Sequence, residues 1–508
     1  MANYLRHVLN GTRAVVIFRD DSYGRPVAAG FRRAAERLGI AADYRPFETL
    51  TEIEQIAQAV AADPDPPAII LGVLDQDAAA VVAAVRRRGI KGPILGTGAI
   101  AGEFFVERFA NEPEERETAG YFTAGIYAAL SELFDSANAE TLAFVNRFKA
   151  RFNKNPNFYA VQGYEAMRLA IAAVHAIAKE GNAQLDLRLR RQAIRAYLIS
   201  LDGPDHAVAG LNGPLWFTAD RGRQQPLRMG RFHGTEFESA PIQLVPVRSP
   251  DSAEIASGAV LDIGRGRFAR RQQVVYAGIF LNEVPRVDIA QSTFTADFYL
   301  WMRFAGGSGV GVSDPVAVDF PDWMRGQFDV ARPSAQGDLP DGTTYRLWQI
   351  RGDLKNDFNL RAYPFDRQTL TLRFFNSRAA SDRIVYIRDH RSIAGVAGAG
   401  TSMPSAVTNM AQASGQSIDA FSNTSPAAFR NLSQWEPLRT SQGRDILVTH
   451  SALGDPRPAR LERIREASGF NFSIELRRNV LSTLSKTLLP LGLMALILYA
   501  SLFFLPAW

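Results

Sequence analysis

The hydrophobic period of this 508-residue chain changes near Val274, and one layer of strands and helices cannot satisfy both patterns. Upstream, short apolar runs alternate with amphipathic stretches. Ala14-Val15-Val16-Ile17-Phe18 reads as a buried parallel strand, followed by the turn Asp20-Asp21-Ser22-Tyr23-Gly24. The next helix, opened by Pro26, sets Val27, Phe31 and Leu38 on one stripe. Ala68-Ile69-Ile70-Leu71 then precedes a helix over 77–89 faced by Val81, Val82 and Val85, and Pro93-Ile94-Leu95-Gly96 is a third strand. That βαβαβ order predicts a doubly wound α/β domain over 1–247. Within it, 138–200 reads as helical, with Phe144, Phe148 and Phe152 four apart, and 212–247 as a closing β-hairpin turning at Asp220-Arg221-Gly222. The Pro-, Ser-, Gly- and Arg-rich stretch 248–271 reads as a linker.

Downstream, the period is two. In Thr293–Phe304, Phe294, Ala296, Phe298, Leu300, Met302 and Phe304 fall on one face, and Thr295, Asp297, Tyr299, Trp301 and Arg303 on the other. Leu370, Leu372 and Phe374 repeat the alternation, as do Phe470, Phe472, Ile474 and Leu476, so 272–476 predicts an antiparallel β-sandwich. A small, polar stretch over 391–430 interrupts it as a loop. Thr487 to Trp508 carries no charge over 22 residues, which predicts one transmembrane helix within 477–508.

Composition removes several classes of function. Lys and Arg number 57 against 52 Asp and Glu, a net +5 with no basic block, so no nucleic acid is expected as a partner. Cysteine is absent, and the six histidines have no HxxxH or HExxH spacing, so neither a thiolate nor a histidine metal site is expected. No nucleophile–base pair or cofactor loop is found. The expectation is a non-enzyme without metal or cofactor.

Two resemblances follow from longer motifs. Asp357-Phe358-Asn359-Leu360-Arg361-Ala362-Tyr363-Pro364-Phe365-Asp366-Arg367 resembles the signature loop of pentameric ligand-gated ion channels, in the form that prokaryotic members carry without flanking cysteines. Val275–Leu281 resembles their first strand, Thr293–Phe304 their second, and Arg477-Arg478-Asn479-Val480 before Pro490 their pre-membrane arginine and first membrane helix. This resemblance implies a sensing domain that assembles as a homopentamer in a lipid membrane, truncated after the first span and so without its pore helix. It implies an intersubunit ligand site at Tyr299, for an amine or, given the arginines and lack of aromatics over 451–468, an anion. It also implies coupling residues at Asp288, Pro364, Phe365, Asp366, Arg478 and Pro490, with Asp366 and Asp288 neutralising Arg478.

Residues 11–247 resemble type I periplasmic binding proteins of the branched-chain amino-acid-binding kind, lacking most of lobe one. The resemblance rests on Asp20–Gly24, Ile90–Gly96, Phe158-Tyr159-Ala160 and Gly163-Tyr164-Glu165-Ala166. It implies a solute site at strand ends, with Tyr23, Asp75 and Thr97 as ligand-binding residues and an amino acid or organic anion as ligand. Together the two imply a bacterial inner-membrane protein with residues 1–476 on the periplasmic side: a channel subunit with a second sensor or, alternatively, a membrane-anchored solute-binding protein of an ABC-type importer.

Overall fold

A computed structural model describes the chain except for residues 132, 138, 180–185, 212, 220, 224–226, 248, 265, 307–313, 391–422, 450–464 and 502–508. It divides into two compact units, Met1–Val274 and Val275–Trp508.

The first unit is built on β1 (Arg13–Arg19), α1 (Gly24–Leu38), β2 (Ala41–Phe47), α2 (Leu50–Ala61), β3 (Ala68–Gly72), α3 (Asp75–Arg87), β4 (Ile94–Thr97) and β5 (Ile126–Leu130). The helices α4 (Ala139–Phe152), α5 (Phe158–Lys179) and α6 (Leu187–Ser200) follow, then β6 (Arg228–His233) and β7 (Glu236–Ser239). The sheet runs β2-β1-β3-β4-β5-β6-β7, parallel through β5 and antiparallel thereafter. Alternate residues of the apolar strands serve two cores. Val15, Ile17, Ile69, Leu71 and Ile94 pack with α2 and α3, while Ala14, Val16, Ile70 and Leu95 pack with Phe31 and Ala35 of α1. Covering both faces is what makes parallel strands read as continuous apolar runs.

Three expectations change here. The β2–α2 pair is additional: β2 is an edge strand, mostly solvent-facing and containing Pro46, so it has no apolar run to read. Its helix begins at a capping box between Thr49 and Glu52. The closing hairpin is β6–β7, turning at Gly234 (φ +59°); the chain also turns near the expected place, Thr218 N donating to Gly222 O and Arg221 N to Thr218 O, both at 2.8 Å, but that turn does not join the hairpin's strands. Glycine suits the left-handed position at Gly234. The expected linker 248–271 contains a helix, Ser252–Ala256, boxed by Asp251 and Glu254, and a strand, Val260–Gly264, so local capping orders a stretch without hydrophobic period.

Strand β8 (Arg267–Asp288) pairs from Val275 onward with β9 (Thr293–Ala305), which pairs with β10 (Thr343–Lys355). A second antiparallel sheet in this unit contains β11 (Arg367–Ala380), with β12 (Ile384–Arg388) lying in the first sheet beside β8. It continues through β13 (Trp435–Thr449) and β14 (Arg465–Arg478), in the order β11-β14-β13, with the short strand Val318–Asp319 on the other side of β11. Ile279, Phe298 and Ile350 of the first sheet share one hydrophobic core with Leu372, Phe374, Phe472 and Ile474 of the second. The inward alternation is as expected, but the outward face of β9 is not uniformly solvated. Trp301 and Arg303 are buried: the indole Nε1 donates to Asp389 Oδ2 at 3.2 Å, and Arg303 Nη2 to Asp389 Oδ1 at 3.0 Å. The Arg303 guanidinium also lies 4.0 Å from the Tyr276 ring centroid, so ion pairing and stacking offset its desolvation. The loop expected over 391–430 falls mostly outside the described residues.

Helix α7 (Val480–Ser501) ends the described chain, with Pro490 inside it. It starts before the expected span and takes in Lys486, and residues 502–508 lie outside the described residues. Among the described residues no helix is long and apolar enough to cross a membrane. The expected transmembrane helix is corrected to that extent. Its described side chains are nonetheless apolar and open: Leu489, Leu491, Leu493, Met494, Leu496, Ile497, Leu498 and Tyr499 are 56–66% exposed.

One buried carboxyl makes the first unit sensitive to pH. Asp135 accepts from Ser239 N at 2.5 Å and Ser239 Oγ at 2.7 Å, yet burial pushes its pKa up to about 6, with Glu238 reinforcing the shift and Arg228 opposing it. The folded state therefore favours the protonated acid. Its contribution is complete below the unfolded value of 3.8 and is lost as pH rises through about 6. Asp135→Asn is expected to flatten this part of the stability profile between pH 4 and 6 and to raise the unfolding temperature at pH 7.5. Thermal unfolding followed by circular dichroism across that range measures both.

Candidate functional site

The carboxyl ends of β1, β3 and β4 lie side by side, and the chain leaves each strand through a tight turn. Gly24 allows the first: a Cβ there would collide with Arg19 O and Gly72 O, so the β1–α1 turn lies directly against the end of β3. Asp21 Oδ1 accepts from Tyr23 N (2.8 Å) and Gly24 N (2.7 Å), and the Gly24 and Tyr23 amides hold its carboxyl below the usual range. This fixes Tyr23 over the strand ends, where its hydroxyl lies 2.6 Å from Thr97 Oγ1. Residues 74 positions apart are thereby joined.

Asp75 begins α3 directly after β3, at an N-terminus whose Leu74 supplies no side-chain cap. It pairs with Arg108 rather than standing free. Next to it, Asp77 binds Arg19 Nη1 through both oxygens at 3.0 and 2.9 Å. Tyr159, at the start of α5, completes an aromatic edge that sequence reasoning did not assign. It is half exposed, and burial, then the charge of Asp75 and the neighbouring Tyr23, raise its phenol pKa. Its neighbour Phe158 lies over Gly98, where a Cβ would sit 3.3 Å from Leu130 and 3.4 Å from Phe158. The result is a floor of two linked hydroxyls bordered by Tyr159 and by the neutralised Asp75–Arg108 pair. Ligands of open α/β sheets lie at such strand ends.

In the second unit, the residues expected to couple separate into those that meet and those that do not. Asp366 and Arg478 form a buried bidentate pair, Nε–Oδ1 2.6 Å and Nη2–Oδ2 2.9 Å. The Arg478 guanidinium lies 4.2 Å from the Trp435 ring centroid and 4.9 Å from that of Tyr363. Gln368 Nε2 donates to Asp366 Oδ2 at 2.6 Å. Burial acts to raise the Asp366 carboxyl, but the hydrogen bonds from Arg478 and Gln368 hold it below its ordinary value. Asp288 is not part of the group: its Oδ1 accepts from Gln291 N at 3.0 Å and closes its own turn. Pro364 and Phe365 lie in the loop before the pair, with Phe365 exposed, and Pro490 lies within α7. Tyr299 is half-buried on β9 between Phe280 and Gln349. The arginine-rich hairpin expected over 451–468 lies outside the described residues except for 465–468, which begin β14.

Residues 1–235 match the family model described as a periplasmic binding protein. The first unit therefore contains a periplasmic-binding-protein-like α/β domain. No curated protein matches the chain. Solved structures similar to it include a leucine-binding protein from Thermotoga maritima, with 17% identity, TM-score 0.38, and 47% of this chain and 63% of that one covered. Another is a branched-chain amino-acid transporter substrate-binding protein from Streptococcus pneumoniae in complex with isoleucine, with 20% identity, TM-score 0.38, and 47% and 62% covered. A third is an extracellular ligand-binding receptor from Rhodopseudomonas palustris, with 19% identity, TM-score 0.39, and 47% and 66% covered. The chain spans less than two thirds of the length of these structures.

Removing one partner of the Asp366–Arg478 pair leaves a buried, uncompensated group, at a cost of about 3–5 kcal/mol. Asp366→Asn and Arg478→Gln are each expected to destabilise the second unit by that order, with the double variant losing less than the sum of the singles. A double-mutant cycle on denaturant unfolding, followed by tryptophan fluorescence, reads the coupling. Additive losses would show that the contact contributes nothing of its own.

Proposed function

We propose that the chain is a membrane-held solute-binding protein, in which the first unit recognises a small aliphatic carboxylate over Tyr23 and Thr97 and α7 anchors the chain. The observation that carries this reading is the Tyr23–Thr97 hydroxyl pair at parallel strand ends, inside the region that matches the binding-protein family. The linked hydroxyls leave one donor over, and α3 begins without a side-chain cap, which favours an oxygen-rich anion over a cation. Leucine and isoleucine, named with two of the similar structures, serve as reference ligands. Their ammonium groups need an acceptor, and the Asp75 carboxylate is already bound to Arg108. Binding is thus expected to depend on the carboxylate and the aliphatic tail, with the importer of an ABC system as the receiving partner and the periplasmic side of a bacterial inner membrane as the location.

The test is calorimetry on the full chain in detergent, comparing 4-methylpentanoate with leucine. The des-amino acid is expected to bind at least as tightly, and Thr97→Val to weaken it by about tenfold, roughly 1.4 kcal/mol for a hydrogen bond to a charged group. Tighter binding of leucine, unaffected by Thr97→Val, would overturn the site.

The second unit favours another reading on its own observation. A buried aspartate–arginine pair joins the Tyr-Pro-Phe-Asp loop to the strand that leads into α7, as the resemblance to ligand-gated channel subunits implies. In that reading the chain is the sensing part of a homopentameric channel, with the intersubunit site at Tyr299. Native mass spectrometry in detergent separates the two: a pentamer supports the channel subunit, a monomer the anchored binding protein.

A further inference from the structure

We infer that Arg108 sets the ligand class at the floor of the first unit: held against Asp75, it keeps that carboxylate from receiving an ammonium group and so reserves the site for carboxylates without one. This deepens, and rests on, the reading of Tyr23 and Thr97 as a solute site. Asp75 faces the same space as the two hydroxyls. It begins α3 directly after β3, and burial, then its charge and the neighbouring Tyr23, raise the Tyr159 phenol. A carboxylate at that border would suit the ammonium of an amino acid if it stood free. Arg108 Nη2 donates to its Oδ2 instead.

The two carboxylates in the first turn of α3 are held differently. Asp77 takes Arg19 Nη1 through both oxygens, whereas Arg108 reaches Asp75 through Oδ2. The Arg108 side chain is 47% exposed and that of Asp75 23%, and an ion pair this open contributes little to stability. Its consequence is for choice of ligand. The backbone behind it is fixed: Arg108 lies on the turn Glu107–Phe109, where Phe109 is buried, stacked on Phe122 at 4.8 Å and edge-on to Phe105 at 5.3 Å. The guanidinium at the far end has room to leave. It borders a cavity of about 290 Å³ between α2 and α3, lined also by Leu50, Ile53, Phe109 and Glu112. An arriving ammonium must therefore displace Arg108 from Asp75 or go without a charged acceptor, while an arriving carboxylate meets a neutralised border. Removing the guanidinium reverses both conditions, because a bare Asp75 attracts the first and repels the second.

Calorimetry on the full chain in detergent, with leucine and 4-methylpentanoate, reads the ratio of their dissociation constants. Arg108→Gln is expected to tighten leucine about threefold and to weaken 4-methylpentanoate about threefold, so the ratio moves about tenfold, the scale of exposed charge pairs. Arg108→Lys keeps the cation and is expected to keep the wild-type ratio. Adding Asp75→Asn to Arg108→Gln is expected to abolish the gain for leucine. If 4-methylpentanoate binds and Thr97→Val weakens it, while Arg108→Gln leaves the ratio unchanged, the role of Arg108 is overturned and the solute site stands. Equal weakening of both ligands by Arg108→Gln overturns it too, since a merely structural role would do that. A gain for leucine that survives Asp75→Asn overturns Asp75 as the acceptor. Wild-type protein that binds neither ligand overturns the site and its selectivity together.

Discussion

The second unit depends on a guanidinium taken out of water. Arg478 is buried between the rings of Trp435 and Tyr363 and bound by both oxygens of Asp366. Such a pair is not strong evidence for net stability, because the desolvation of both ions opposes their attraction. What it does supply is geometry. Arg477 and Arg367 are register partners across β14 and β11, so the pair locks the loop that ends at Asp366 to the last residues before α7. Leu360, Tyr363 and Phe365 are presented outward because Asp366, the next residue in line, is held inward.

The first unit has its own constraint, and it is one of space. The β1–α1 turn approaches β3 so closely that Gly24 admits no side chain, and Asp21 ties the turn through two backbone amides. Tyr23 is therefore a fixed wall rather than a surface side chain free to swing. A second fixed point is Arg86 on α3, buried and held by backbone carbonyls. It donates to those of Ile90 (2.7 Å), Ala124 (2.9 Å), Gly92 (3.3 Å) and Phe122 (3.4 Å). It satisfies the backbone where the chain crosses from α3 towards β5, which buried carbonyls require.

The legible parts of the sequence were those where one physical demand sets the pattern. β1, β3 and β4 are covered on both faces and so appear as unbroken apolar runs, and the inward faces of β9, β11 and β14 alternate because one side meets the shared core. The edge strand β2 was hidden because it meets neither demand. Trp301 and Arg303 read as outward-facing from period alone, since period cannot register that Asp389 and Tyr276 cover them. At the candidate site, the resemblance to binding proteins pointed to Tyr23 and Thr97 at strand ends, but their hydrogen bond is a product of the β1-β3-β4 order. Tyr159 was read as part of a helix motif and not as a site residue, since it lies beyond the parallel strands, on α5. Asp288 failed for a local reason: an aspartate three residues before an available backbone N–H closes its own turn.

The open character of the floor also limits what it does alone. Leu74 is 45% exposed and Tyr159 50%, so a solute resting on Tyr23 and Thr97 keeps water on its other side. Each hydrogen bond to it then replaces one to solvent, and the net gain is modest. Aliphatic selectivity needs the tail enclosed as well, because the hydrophobic contribution scales with the area removed from water. A facing surface that closes over this floor would therefore add more affinity than any single change to the two hydroxyls. The Asp75–Arg108 pair at its border would decide which ligands survive that closure: once water is excluded, an ammonium finds only hydroxyl oxygens and a carboxylate already paired with Arg108, while a carboxylate keeps the one hydroxyl donor that the Tyr23–Thr97 bond leaves over.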